Sequence, residues 1–84
     1  MPNVSIWKMQ RGKPMYMKEL TEWFNKNNLI PAIGETIIIP IESTAFKVEM
    51  KHSGTGYWKV TMRYYDPEIN EISVHCTEVA NPFE

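Results

Sequence analysis

Apolar and polar positions alternate every second residue over most of this chain, and only one stretch follows a helical period. Val4 to Gln10 alternates and is rich in Val, Ile and Trp, which predicts a first strand. Arg11-Gly12-Lys13-Pro14 predicts a turn, with Pro14 placed to open a helix. From Met15 to about Asn27, Met17, Leu20 and Phe24 recur at helical spacing, with Tyr16 and Trp23 flanking the stripe. Lys18, Glu22 and Lys26 fall at i,i+4 intervals on the polar side. Asn27 and Asn28 suit a left-handed helix end, and Pro31 forbids continuation.

Beyond the helix the period returns to two. Thr36 to Ile41 is β-branched, with Pro40 marking an edge or a bulge. From Ala45 to His52, Phe46, Val48 and Met50 alternate with Lys47, Glu49 and Lys51. From Tyr57 to Tyr65, one face carries Trp58, Val60, Met62 and Tyr64. Asp66-Pro67-Glu68-Ile69-Asn70 reads as a hairpin loop, with Asn70 able to take positive φ. Glu71 to Val79 then places Ile72, Val74 and Cys76 on one face. Setting Tyr65 opposite Glu71 matches Tyr64 with Ile72, Met62 with Val74 and Val60 with Cys76. A slip of one residue pairs core with surface throughout.

The expected fold class is therefore α+β: an N-terminal strand and one short helix packed on a four-stranded antiparallel meander. An SH3-like small barrel is favoured because the helix is short. A cystatin-like sheet wrapped around its helix is the alternative. The expected core joins Phe46, Val48, Trp58, Val60, Met62, Ile72, Val74 and Cys76 to Leu20 and Phe24.

Composition narrows the class. Eighty-four residues, 43% of them apolar and 23% charged, describe one small globular domain over residues 1–84. The single cysteine, Cys76, cannot form an intramolecular disulfide. No run approaches the roughly 18 apolar residues of a membrane span, and the first residues lack the apolar stretch of a secretory leader. A reducing cytoplasm is the expected location, and the Asn3-Val4-Ser5 sequon is read as chance. Residues 1–34 carry Lys8, Arg11, Lys13, Lys18 and Lys26 against Glu19 and Glu22, a net +3, and the remainder carries −4. This is not the strongly basic balance of a duplex-DNA binder.

Ile30-Pro31-Ala32-Ile33-Gly34-Glu35-Thr36-Ile37, followed by Phe46-Lys47-Val48, resembles small phage and bacterial proteins with an "IPxxGD/E" turn before a compact β-meander. The resemblance implies a small β-rich fold of mobile-element origin, and it transfers no functional residue. By class it suggests an accessory or host-directed inhibitor of the anti-defence kind.

Candidate chemistry is sparse. Glu71, Ser73, His75 and Thr77 share the outward face of the last strand, but side chains two apart on a strand lie roughly 7 Å from each other, too far for a nucleophile–base pair. His75 and Cys76 point to opposite faces. His52, His75 and nearby carboxylates lack metal-ligand spacing. Gly54-Thr55-Gly56 opens no helix and is read as a hairpin loop. No catalytic residue, metal or cofactor is expected, and the chain is read as a non-enzyme.

The outward face of the Tyr57–Tyr65 strand is the expected partner surface. It carries Tyr57, Lys59, Thr61, Arg63 and Tyr65, with Lys47 and Lys51 on the neighbouring strand. Tyr and Arg are favoured at protein interfaces. Aromatics interleaved with cations also suit single-stranded nucleic acid, but Glu49, Glu71 and Glu78 oppose a polyanion. The expected function is docking on a protein partner, with single-stranded RNA or DNA binding as the alternative and self-association through an edge strand as a further route.

Overall fold

A computed structural model of the chain describes residues 2–39, 46 and 55–83. The elements run β1 (Asn3–Gln10), β2 (Lys13–Tyr16), α1 (Lys18–Lys26), β3 (Thr36–Ile38), β4 (Tyr57–Asp66) and β5 (Glu71–Glu78). The strands form one sheet in the order β2-β1-β5-β4-β3. Three pairings are antiparallel, and β1 runs parallel to β5. The α+β class and the mostly antiparallel sheet match expectation. The SH3-like closure does not: among the described residues the sheet is open, with β2 and β3 at its edges. Of the expected strand over residues 45–52 only Phe46 is described, in a turn; the rest lies outside the described residues.

The region after β1 also departs from the sequence reading. Arg11 and Gly12 take φ values of 53° and 76°. Two consecutive positive-φ residues make the tight turn that matches strand twist, so the chain folds into a hairpin rather than entering a helix. Pro14 therefore sits in β2, opposite Met9, rather than opening the helix. Its missing N–H is harmless on an edge strand. The helix begins three residues later than expected, at Lys18. Its end follows the sequence, with Asn28 at φ 53°.

β2 covers only Trp7–Gln10 of β1, leaving the outer edge of Asn3–Ile6 without a strand neighbour. The helix supplies one. The Met17 N–H donates to the Ile6 carbonyl at 2.8 Å. Thr21 Oγ1 accepts the Ile6 N–H at 2.9 Å. Asn25 Oδ1 accepts the Val4 N–H at 2.8 Å, and its Nδ2 donates to the Val4 carbonyl at 2.9 Å. One helix stripe thus takes the place of a strand, satisfying backbone groups that would be costly to bury unpaired.

From this position α1 turns Met17, Leu20 and Phe24 over one side of the sheet. There they bury Val4, Ile6, Trp58, Val60, Val74 and Cys76, with Ile39, Ile72 and Phe46 packed alongside. Val60, Val74, Cys76 and Ile6 have no solvent exposure. Val48, the remaining expected core residue besides Met62, lies outside the described residues.

The β4–β5 register holds only in part. Val60 stands opposite Cys76 as expected, but a β-bulge intervenes between Val60 and Met62. Beyond it Met62 faces His75, Arg63 faces Val74, Tyr64 faces Ser73 and Tyr65 faces Ile72. The extra residue, Thr61, exchanges the two faces of β4 from that point on. Met62 and Tyr64, expected in the core, are therefore exposed on the side away from the helix, at 51% and 48%.

Candidate functional site: the open face of the sheet

The side of the sheet opposite α1 bears a cross-strand row. Tyr16 on β2 pairs with Trp7 on β1, Trp7 with His75 on β5, and His75 with Met62 on β4. Directly opposed residues project from the same face, so this row crosses four strands. Tyr16 and Trp7 rings lie 5.2 Å apart at 56°. Tyr64 joins from the next position, its ring 5.3 Å from His75. Its hydroxyl lies 3.2 Å from His75 Nε2.

Two serines form the floor beside this row. Ser5 and Ser73 face each other on neighbouring strands, both buried, with their hydroxyl oxygens 3.2 Å apart. Trp7 Nε1 donates to Ser5 Oγ at 2.9 Å, which folds the indole along the strand above the serine. The Trp7 ring is thereby fixed before any partner arrives, which lowers the ordering cost of binding. Tyr16, Met62 and Tyr64 are the exposed members.

The row lies between charges of opposite sign. Lys59 stands opposite Thr77 near one end of the same face. Asp66 stands opposite Glu71 at the other. The β1–β2 turn, with Arg11, continues the Lys59 end. The β4–β5 turn, with Glu68, continues the acidic end; the Asp66 carboxylate there accepts the Glu68 N–H at 3.0 Å. Arg63 and Glu78, which would blur this division, project to the other side of the sheet beside Val74 and Trp58.

The expected Tyr57–Tyr65 surface is consequently divided. Tyr57 and Lys59 lie on the open face, where Tyr57 also meets the Phe83 ring at 6.4 Å. Arg63 and Tyr65 lie on the helix side, exposed beyond the helix, and the Tyr65 hydroxyl donates to Asn70 Oδ1 at 2.7 Å. Thr61, at the bulge, reaches the His75 carbonyl at 3.4 Å. Lys47 and Lys51 lie outside the described residues. Of the last strand's polar residues, Ser73 pairs with Ser5 and His75 with Tyr64, rather than with each other. Sequence reasoning missed Tyr16, Trp7, Met62 and Tyr64 as surface residues.

The helix side carries two other features. Lys8 is buried opposite Cys76, its ammonium 5.8 Å from the centre of the Trp58 ring, a cation–π distance. The buried Trp58 Nε1 has no acceptor among the described residues. An apolar groove of about 510 Å³ runs between α1 and β3, lined by Leu20, Trp23, Phe24, Leu29 and Ile37 among others. Burial pushes the Cys76 thiol up to about 12, so it stays protonated and is a core residue rather than a nucleophile. Among the described residues no group of His, Cys, Asp and Glu could hold a metal ion, and no helix is long and apolar enough to cross a membrane.

No protein-family model, curated protein or solved structure matches the chain.

Proposed function

We propose that this chain is a non-enzymatic binding module that docks on a protein through the open face of its sheet. The observation that carries the reading is the row Tyr16–Trp7–His75–Met62, joined by Tyr64, on a face that no described element covers. An antiparallel sheet facing water usually carries Thr, Lys and Glu there. Exposed aromatics and Met on a flat sheet raise the risk of aggregation, and they are the residue types enriched at protein interfaces. The ring of Trp7 is held in place by Ser5 and can act as an anchor without further ordering. Buried Cys76 leaves the fold independent of oxidation, in keeping with a reducing cytoplasm. A module of this kind acts by covering a partner's surface, as an accessory inhibitor from a mobile element would.

Single-stranded nucleic acid is the second reading, because Tyr16, Trp7 and Tyr64 offer rings for base stacking. The charges favour protein. The open face has Lys59 at one end but Asp66 and Glu71 at the other, and a continuous strand of phosphates would have to cross the acidic end.

The test is site-specific photo-crosslinking in the source cell, with a photoreactive residue at Tyr64 and, separately, at Trp23 on the helix. Protein adducts formed from position 64 and not from position 23 support the reading. Adducts that disappear on nuclease treatment would replace it with the nucleic-acid reading. Adducts formed only from position 23 would move the docking surface to the groove.

A further inference from the structure

We infer that the partner seated on the open face is a second copy of this chain, related by a two-fold axis that crosses β4 and β5 between the Met62–His75 and Tyr64–Ser73 pairs. The inference rests on the docking reading above and adds the identity of the occupant. A two-fold interface requires a self-complementary surface, in which each residue i that meets j is mirrored by j meeting i. This face meets that requirement in both charge and apolar character.

Strand residues rise about 3.3 Å each, so Lys59 and Asp66 stand roughly 20 Å apart on β4, allowing for the bulge. Their midpoint falls between the Met62–His75 and Tyr64–Ser73 pairs. A half-turn about an axis across the strands at that level, parallel to the sheet, lays one face on the other and reverses strand direction. Met62 of each chain then packs on Tyr64 of the other, and His75 lies over Ser73. Lys59 of each chain comes over Asp66 of the other, and Thr77 over Glu71.

The sorting of charges is specific to this face. The bulge sends Arg63 to the helix side, and alternation sends Glu78 there too. Among the described residues each end of the open face therefore keeps one sign: Lys59 at one, Asp66 and Glu71 at the other. A polyanion meets repulsion at one end and a polycation at the other, whereas an inverted copy meets attraction at both. Five strands spaced about 4.8 Å apart and roughly 20 Å long offer about 400–500 Å² per copy in projection, below the roughly 600 Å² per partner where stable interfaces begin and in the range of weak, transient ones. The pairing is accordingly a reversible one, set by protein concentration.

The experiment is sedimentation velocity on the full chain over a wide concentration range, with urea unfolding to confirm that each variant is folded. The wild-type chain should move from monomer to dimer as concentration rises. Lys59→Glu, and separately Glu71→Lys, should each weaken the dimer about tenfold or more. Combining Lys59→Glu, Asp66→Lys and Glu71→Lys in one chain exchanges the two ends and should restore association. Tyr64→Ala should weaken it in every background. A chain that stays monomeric at the highest concentration overturns the inference, as does a dimer that neither Tyr64→Ala nor the charge reversals affect. Failure of the docking reading is separately visible. If the chain is monomeric but position 64 crosslinks to a different protein, only the second copy is wrong. If position 64 crosslinks to no protein at all, both fall.

Discussion

Met62 stands directly opposite His75, in the place that an unbroken ladder from the Val60–Cys76 pair would give to Thr61. One additional residue thus decides which face of β4 the later side chains occupy. Before the bulge, Trp58 and Val60 enter the core; after it, Met62 and Tyr64 leave it. The aromatic row exists on the open face because of this exchange.

The exchange predicts unequal costs for two neighbouring apolar truncations. Val60 has no exposure and packs among Val74, Cys76 and Trp58, so Val60→Ala should cost about 2 kcal/mol or more. Met62 is half exposed, and Met62→Ala should cost under about 1 kcal/mol. Urea unfolding of both variants checks this. Equal losses at the two positions would mean that the register runs through without a bulge.

Asn25 is predicted to matter more than any exposed helix residue. Its amide binds both the N–H and the carbonyl of Val4, and Nδ2 also reaches the Thr21 carbonyl at 2.9 Å. Asn25→Ala leaves those Val4 groups without their partner and should cost about 1–3 kcal/mol. Glu22→Ala, on an exposed position of the same helix, should stay within about 0.5 kcal/mol. Chemical denaturation of the two variants, with hydrogen exchange of the Val4 amide, gives the answer. Unchanged stability and protection in Asn25→Ala would show that the helix does not seal the β1 edge.

Cys76 predicts a pH dependence above neutrality. In the unfolded chain the thiol ionises near its ordinary value of 9.0, while in the fold it holds its proton to about 12. Between these values the unfolded chain binds fewer protons, so stability falls as pH rises through that window and is fully present below it. The slope is at most about 1.4 kcal/mol per pH unit. The quantity to measure is the difference between wild type and Cys76→Ala, which isolates the thiol. That difference should shrink from pH 9 to pH 11; a constant difference would mean that the thiol ionises in place.

The elements legible in the sequence were those with a long, regular period. β1, β4 and β5 alternate, and Met17, Leu20 and Phe24 mark the helix face. The positive φ of Asn70 and Asn28 follows from short polar side chains at turn positions. The hairpin at Arg11-Gly12 was legible in principle, since Gly beside a residue able to take positive φ is a turn signal, but Pro14 gave a competing helix-start signal. The bulge left no trace, because Trp58, Val60, Met62 and Tyr64 alternate in the sequence whether or not the ladder is interrupted. Thr21 and Asn25 look like ordinary polar helix residues, and only the parallel placement of β1 beside β5 brings its edge within their reach. The candidate site follows the same rule: alternation marks β4 as a strand, while the bulge exchanges its two faces beyond Val60.

Arg63 and Tyr64 give the most direct test, being adjacent in sequence and on opposite sides of the sheet. The measurement is the affinity of the chain for its protein partner, whether a second copy or another chain, for Tyr64→Ala and Arg63→Ala side by side. The open-face account predicts that Tyr64→Ala weakens binding by about 1–3 kcal/mol, roughly 5- to 150-fold, with an intact unfolding transition. It predicts that Arg63→Ala changes affinity by less than about twofold. The reverse result, with Arg63→Ala weakening binding and Tyr64→Ala leaving it unchanged, would contradict the account and move the binding surface to the helix side.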